Sequence, residues 1–296
     1  MTPRSPFYCF PTSKEDAAAA EKDVCTPQTI SPSYRLSYMD TDFLTREELR
    51  PVRLQLELLK PEILQQEHGI EATVVVFGSS RIPAKSEAQQ KLAKAKLAAA
   101  ADPSNKTLEK DVEIAENIVK KSRYYDEARK LSSLLSQMSC GQSDNRMVVV
   151  TGGGPGIMEA ANRGAYDVGA KSIGLNIVLP HEQAPNEYIS PELCFQFHYF
   201  SIRKMQFLMR AQALVVFPGG FGTMDELFET LTLIQTKKIV PLPVLLFGRE
   251  FWDKLLNFDF LVSEGVISPG DIDIFKFVET AEEAAEIIQH HVGSRS

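Results

Sequence analysis

The sequence predicts an α/β fold: a doubly wound parallel sheet with helices on both faces, preceded by a helical extension. Three observations predict it. Short β-branched runs, ATVVVF at 72–77, MVVVT at 147–151 and ALVVF at 213–217, read as strands buried on both faces. Segments of helical character separate them, so strand and helix alternate along the chain. Each run ends in a turn of glycine or other small residues: GSSR at 78–81, GGGPG at 152–156 and PGGFGT at 218–223. A length of 296 residues fits one large α/β domain with extensions. With 44 % hydrophobic and 24 % charged residues, the chain has the composition of a globular protein that can bury a sizeable core.

Taken in order, residues 1–33 are rich in Pro, Ser, Thr, Lys and Glu, with an Ala run at 17–20, and are expected to form a flexible arm. Residues 34–70 are expected to form a helical extension. Thr45-Arg-Glu-Glu48 is a capping-box pattern that starts a helix. Val52, Leu54, Leu56 and Leu58 alternate as a strand would, but the Leu, Gln, Glu and Arg around them favour a helix. Pro51 and Pro61 fit best near helix starts.

The doubly wound (Rossmann-like) domain is expected over 71–292. Its first strand is 72–77. A helix over 85–101, a break at Asp102-Pro-Ser-Asn105 and a second long helix to about 138 form a helical insertion, and a polar loop over 140–146 leads to the strand 147–151. Next come a helix at 157–169, a strand at 172–177 and a loop at 178–191 containing Pro180, Pro185 and Pro191. A strand at 194–199, a helix at 201–211, the strand at 213–217, a helix at 223–236 and a strand at 243–247 follow, with helical segments and a last helix over 280–291. Six or so strands result.

Several function classes are excluded at this point. A net charge of −7 argues against nonspecific nucleic-acid binding through a broad basic surface. No apolar run approaches the roughly 18 residues of a membrane-spanning helix. The first residues carry no apolar stretch behind a basic cluster, as a secretory signal would. A cytoplasmic protein with neither a nucleic-acid nor a membrane partner is expected. Cys9, Cys25, Cys140 and Cys194 form no CxxC pair, the only close histidine pair is His290-His291, and no HExxH occurs. Free thiols, no metal and no cofactor are the expectation.

In an open parallel sheet, ligands bind beyond the carboxyl ends of the strands, so the three small-residue turns are where chemistry belongs. In PGGFGT the backbone can approach an anion, and the following helix offers free N–H groups and partial positive charge. It is not a Walker A loop, since no Gly-Lys-Ser/Thr follows, and 152–156 does not match the dinucleotide fingerprint. Thr223-Met-Asp-Glu226 is either a capping box or the source of a carboxylate at the edge of a phosphate or ribose pocket, and Asp225 could serve either way. Arg203 and Lys204 fall in the first turn of a helix, where the dipole disfavours cations. They are either solvated side chains at a frayed end or the binding groups for an anion. His198 reads as packed or hydrogen-bonded, and the helix at 85–101 as a solvated face or an oligomer contact.

Arg203-Lys204-Met205 followed by PGGFGTMDE at 218–226 resembles the RK…PGGxGTxxE signature of the LOG family. These are cytokinin riboside 5′-monophosphate phosphoribohydrolases, many of them long labelled "possible lysine decarboxylase". The other two glycine turns look like the family's own, and the resemblance covers about residues 70–290. The first 70 residues and the insertion look more like a larger bacterial branch. The resemblance implies hydrolysis of the N-glycosidic bond of an adenosine-type 5′-monophosphate, AMP or a cytokinin riboside monophosphate, to free base and ribose 5-phosphate. It implies Arg203 and Glu226 as the catalytic pair. It also implies substrate contacts from Gly78, Ser79, Ser80, Gly153, Gly154, Gly156, Lys204, Gly219, Gly220, Phe221, Gly222 and Thr223. A homodimer or larger homo-oligomer is implied as well. The loop His181-Glu-Gln-Ala-Pro-Asn186 departs from the small members and is expected to face the base. The alternative on the same fold is a nucleotide or molybdenum-cofactor carrier, in which Glu226 is only a helix cap.

Overall fold

The computed structural model of the protein describes residues 10–20, 24–139, 147–180 and 184–294. The expected loop at 140–146, Cys9, and the head of the loop at 181–183 lie outside the described residues. The chain divides into two compact units, residues 1–63 and 64–296.

In the first unit, Ser13–Ala20 forms helix α1, where the flexible arm was expected. The Thr12 and Glu15 side chains cap it reciprocally, and the alanines that follow are strong helix formers. Helix α2, Thr41–Leu44, is capped by Asp40, whose carboxylate accepts the Phe43 N–H at 3.2 Å. The expected capping box at Thr45 does not form. Its hydroxyl turns back to donate to the Thr41 carbonyl at 2.9 Å, and helix α3 begins at Arg50 and runs to Glu67. Pro61 stands inside α3 rather than at a start.

The second unit is built on a parallel sheet of seven strands: β1 (Ala72–Phe77), β2 (Met147–Thr151), β3 (Ser172–Ile177), β4 (Cys194–Phe197), β5 (Ala211–Val216), β6 (Val244–Phe247) and β7 (Phe275–Val278). The order is β4-β3-β2-β1-β5-β6-β7, and every pairing is parallel. The short edge strand β7 was not read from the sequence.

The helices of this unit are α4 (Lys85–Ala101), α5 (Lys106–Lys121), α6 (Arg123–Ser139), α7 (Ile157–Asp167), α8 (Phe200–Leu208), α9 (Phe221–Gln235), α10 (Arg249–Leu255), α11 (Phe258–Ser263) and α12 (Ala281–Gly293). The expected second long helix of the insertion is two helices. The chain turns at Ser122, whose hydroxyl donates to the Val119 carbonyl at 2.7 Å and ends α5.

Alternate residues of each strand face opposite sides of the sheet, which makes two cores. On one face Val74, Val76, Val149 and Val215 pack with Leu131 of α6, Ala160 of α7 and Ile288 of α12. On the other, Val75, Phe77, Val150 and Val216 pack with Phe207 of α8, Leu227 of α9 and Trp252 of α10. Covering both faces removes the strands from water, which is why they tolerate unbroken β-branched runs.

Candidate active site

After β4 the chain crosses back to place β5 beside β1, so β1 is flanked by β2 and β5 and their three turns share one sheet edge. Backbone bonds stitch the turns together. The Ser79 N–H donates to the Pro218 carbonyl at 3.0 Å, and the Ile157 N–H donates to the Ser79 carbonyl at 3.2 Å. This close approach explains a glycine at Gly156: its φ is +70°, and a Cβ there would lie 2.5 Å from the Ser79 carbonyl oxygen.

Beneath the second turn lies a network of buried amides. The Thr151 hydroxyl donates to Asn162 Oδ1 at 2.7 Å and accepts the Gly153 N–H at 3.0 Å, while Asn162 Nδ2 donates to Ser172 Oγ at 3.0 Å. Asn186 Nδ2 is shared among the Gly153 and Gly154 carbonyls at 3.1 Å each and Asn162 Oδ1 at 3.0 Å. Gly153 has φ +76°, and a Cβ on it would lie 2.2 Å from Asn176 Oδ1. Gly153 therefore faces into the protein, whereas Gly152, Gly154 and Gly156 line the cleft.

The third turn is held differently. Helix α9 starts at Phe221 with Gly220 at its N-cap, and no side chain caps it. Of the two readings of Thr223-Met-Asp-Glu226, the capping box is therefore absent, because the helix begins three residues earlier than that pattern requires. Its first-turn N–H groups remain as donors toward the cleft. Thr223 Oγ1 sits where a Cβ on Gly219 would come within 2.1 Å. Phe221 is almost fully exposed, at 96 %.

Two connected lobes make up the cleft. A lobe of about 600 Å³ is lined by Gly78, Ser79, Ser80, Arg203 and residues 219–226. A second lobe of about 1030 Å³ is lined by Gly152, Gly154, Gly156, Asn176 and helices α4 and α5. Ser80, Arg81, Met158, Phe200, Arg203 and Gly222 border both.

Glu226 lies in the smaller lobe and is only 7 % exposed. Burial pushes its carboxyl up to about 7, against the opposing pull of Lys204 and Arg203, while Glu229 and Asp225 add to the rise. Arg203, the fourth residue of α8, donates from Nε to the Leu175 carbonyl at 2.7 Å, and its guanidinium lies 5.1 Å above the Phe207 ring. Its Nη2 passes 2.7 Å from where a Cβ on Gly152 would be, so the arginine lies across the second turn. Lys204 lines neither lobe. Its ammonium pairs with Asp225 and Glu229 at 2.9 Å each, and the side chain is 15 % exposed.

The sequence reading gave no part to Arg81, Asn162 or Asn176, and it took Asn186 only as the end of a loop facing the base, whereas its amide bonds the second glycine turn. Arg81 closes the GSSR turn, its backbone N–H donates to Ser79 Oγ at 3.1 Å, and it borders both lobes with no ion-pair partner among the described residues. Its place directly after the first turn was the available signal. The asparagines gave none, since they meet only through the fold. His198 is exposed and sets its ring edge-on to Tyr199, with 4.5 Å between centroids. Among the described residues no group of three or more His, Cys, Asp or Glu is placed to hold a metal ion.

Comparison with known proteins places these features. The family model described as "Possible lysine decarboxylase" matches residues 158–288. A cytokinin riboside 5′-monophosphate phosphoribohydrolase of Arabidopsis thaliana is 30 % identical over 176 residues, 58 % of this chain and 77 % of the relative. One from Oryza sativa subsp. japonica is 30 % identical over 178 residues, covering 58 % and 69 %. Among solved structures, the molybdenum cofactor carrier protein of Chlamydomonas reinhardtii is similar with a TM-score of 0.44 at 14 % identity, over 75 % of this chain and 99 % of that one. On the extent of its match to the plant enzymes, this chain belongs to the LOG family of cytokinin riboside 5′-monophosphate phosphoribohydrolases.

Proposed function

We propose that this protein hydrolyses the N-glycosidic bond of a purine nucleoside 5′-monophosphate, AMP or a cytokinin riboside monophosphate, to free base and ribose 5-phosphate. One observation carries the reading: a buried carboxyl poised near neutrality, Glu226, shares a lobe with an uncapped glycine-rich helix start and with Arg203.

The 5′-phosphate is held by the N–H groups of residues 219–223, with Arg81 and Arg203 supplying positive charge. Lys204 is neutralised by two carboxylates, and its part is to favour the ionised form of Glu226. As the bond between the anomeric carbon and the base nitrogen breaks, its electron pair leaves with the base and positive charge develops on the ribose. Ionised Glu226 stabilises that charge and accepts a proton from the water whose oxygen bonds to the anomeric carbon. The proton passes on to the departing base. Because the ionised carboxylate is required, kcat/KM rises as pH passes through about 7.

Incubation with AMP, N6-isopentenyl-AMP, GMP and CMP separately, followed by product analysis, tests the reading. Release of free base with ribose 5-phosphate from the adenine nucleotides is expected. Tight binding without release from any of them overturns it in favour of a carrier. A homodimer belongs to the same reading, and sedimentation equilibrium tests it.

A further inference from the structure

Tyr125, Glu159 and Arg163 form a cluster that the reaction described above does not use. Tyr125, on α6, is 2 % exposed, and its hydroxyl donates to Glu159 Oε1 at 2.7 Å. Arg163, one turn along α7 from Glu159, donates to the same hydroxyl, and its guanidinium stands 5.2 Å above the Tyr188 ring. Burial first, and then the bond to Glu159, hold the Tyr125 hydroxyl above its ordinary value, so it stays a donor. One oxygen of Glu159 is thereby fixed, and the other has no bonded partner among the described residues. Glu159 stands in the first turn of α7, directly after Met158. Met158 borders both lobes of the cleft, whereas Glu159 lines only the larger one, with Gly152 and Gly154. The other carboxylates of that lobe are placed differently. Glu87 is paired with Lys91 at 2.7 Å, and Asp111 is exposed on α5.

We infer that Glu159 is a further catalytic residue that holds the leaving base: its carboxylate accepts from the 6-amino group of a purine and, as the base departs, from the adjacent N7 as well. The inference rests on the phosphoribohydrolase reading for the nucleotide's direction. With the phosphate at residues 219–223 and the anomeric carbon near Glu226 and Arg203, the base passes Met158 into the larger lobe, beside the first turn of α7. There a 6-amino purine turns an N–H donor to the carboxylate. When the bond between the anomeric carbon and N9 breaks, its electron pair stays on the base, and the proton given up by the attacking water is taken up at N7. Glu159 then accepts two N–H groups from one edge of the base. That hold is stronger in the transition state than in the bound substrate, which is what accelerates the step. A 6-oxo purine instead presents a carbonyl oxygen and a bare N7, two acceptors against an acceptor, and gains nothing from Glu159.

Glu159→Gln and Glu159→Ala test this with AMP and IMP, which carry an amino group and a carbonyl at the same position of the base. Circular dichroism melts establish which variants fold. The expected result is a fall of about tenfold or more in kcat/KM for AMP, with IMP held within about threefold or improved. Equal losses for both nucleotides, or no loss for either, overturn the inference, since a merely structural tie between α6 and α7 serves both alike. If the wild-type protein hydrolyses neither, the phosphoribohydrolase reading fails by itself, and calorimetric Kd values for the same two nucleotides decide the part of Glu159. A wild-type preference for AMP that shrinks in the variants upholds its contact with the base. Equal binding by the wild type, no binding, or an unchanged preference overturns it.

Discussion

The turns at 152–156 and 218–223 are both glycine-rich, both follow buried strands and both open helices, yet they are built in opposite ways. The first is braced from below by Thr151, which accepts the Gly153 N–H, and by Asn186, whose amide donates to the Gly153 and Gly154 carbonyls and is itself tied to Asn162. The second has no side chain at its helix cap, and beside it a carboxyl is held in a poorly solvated place. One turn is shaped by side chains packed and bonded beneath it, while the other leaves the first N–H groups of its helix without a side-chain cap. A fixed wall beside an open anion seat is the arrangement that holds a reacting nucleotide in one pose.

The largest expected effect breaks the clamped turn. Gly153→Ala places a methyl against Asn176 at a positive φ, and urea denaturation should show a loss of about 3 kcal/mol. A comparable effect of opposite sign belongs to the open turn. Native Glu226 holds its proton to about pH 7, whereas an unfolded glutamate releases it near 4.5. Between those values the folded state binds more protons, so the Glu226 contribution to stability falls as pH rises and its cost is complete above about 7. Glu226→Gln should therefore match the wild type at pH 4.5 and exceed it by on the order of 3 kcal/mol at pH 9, read from paired denaturation curves.

Smaller effects sharpen the contrast. Gly222 has open space around it and no positive φ. Gly222→Ala should leave stability within about 1 kcal/mol of wild type and weaken AMP binding about tenfold, because the methyl enters the anion seat. Lys204→Met should be the mildest, with about 1 kcal/mol of stability lost. The rising limb of the kcat/KM profile should move to higher pH, since a cation that favours ionised Glu226 is gone.

How much of this was legible in the sequence follows the same division. The strands β1 to β6 and the three turns are local signals, carried by β-branched runs and glycines, and they were readable. The edge strand β7, four residues long, has too little pattern to stand out. Thr-x-x-Glu at 223–226 advertised a cap, but Gly219 and Gly220 let the helix start earlier and left Glu226 facing the cleft instead. Arg203 and Lys204 are neighbours of like charge and went opposite ways. One reaches β3, and the other is taken by carboxylates on α9 that no spacing rule connects to it. The asparagine clamp joins β2, α7, β3 and the loop before β4, so only the fold reveals it.

The central claim is that Glu226 does chemistry rather than capping. Measuring base release and nucleotide binding side by side for Glu226→Gln tests it most directly. The account predicts a fall of about 10³-fold in turnover with the Kd for AMP within about threefold of wild type. Turnover within tenfold of wild type would contradict it and return Glu226 to a structural part.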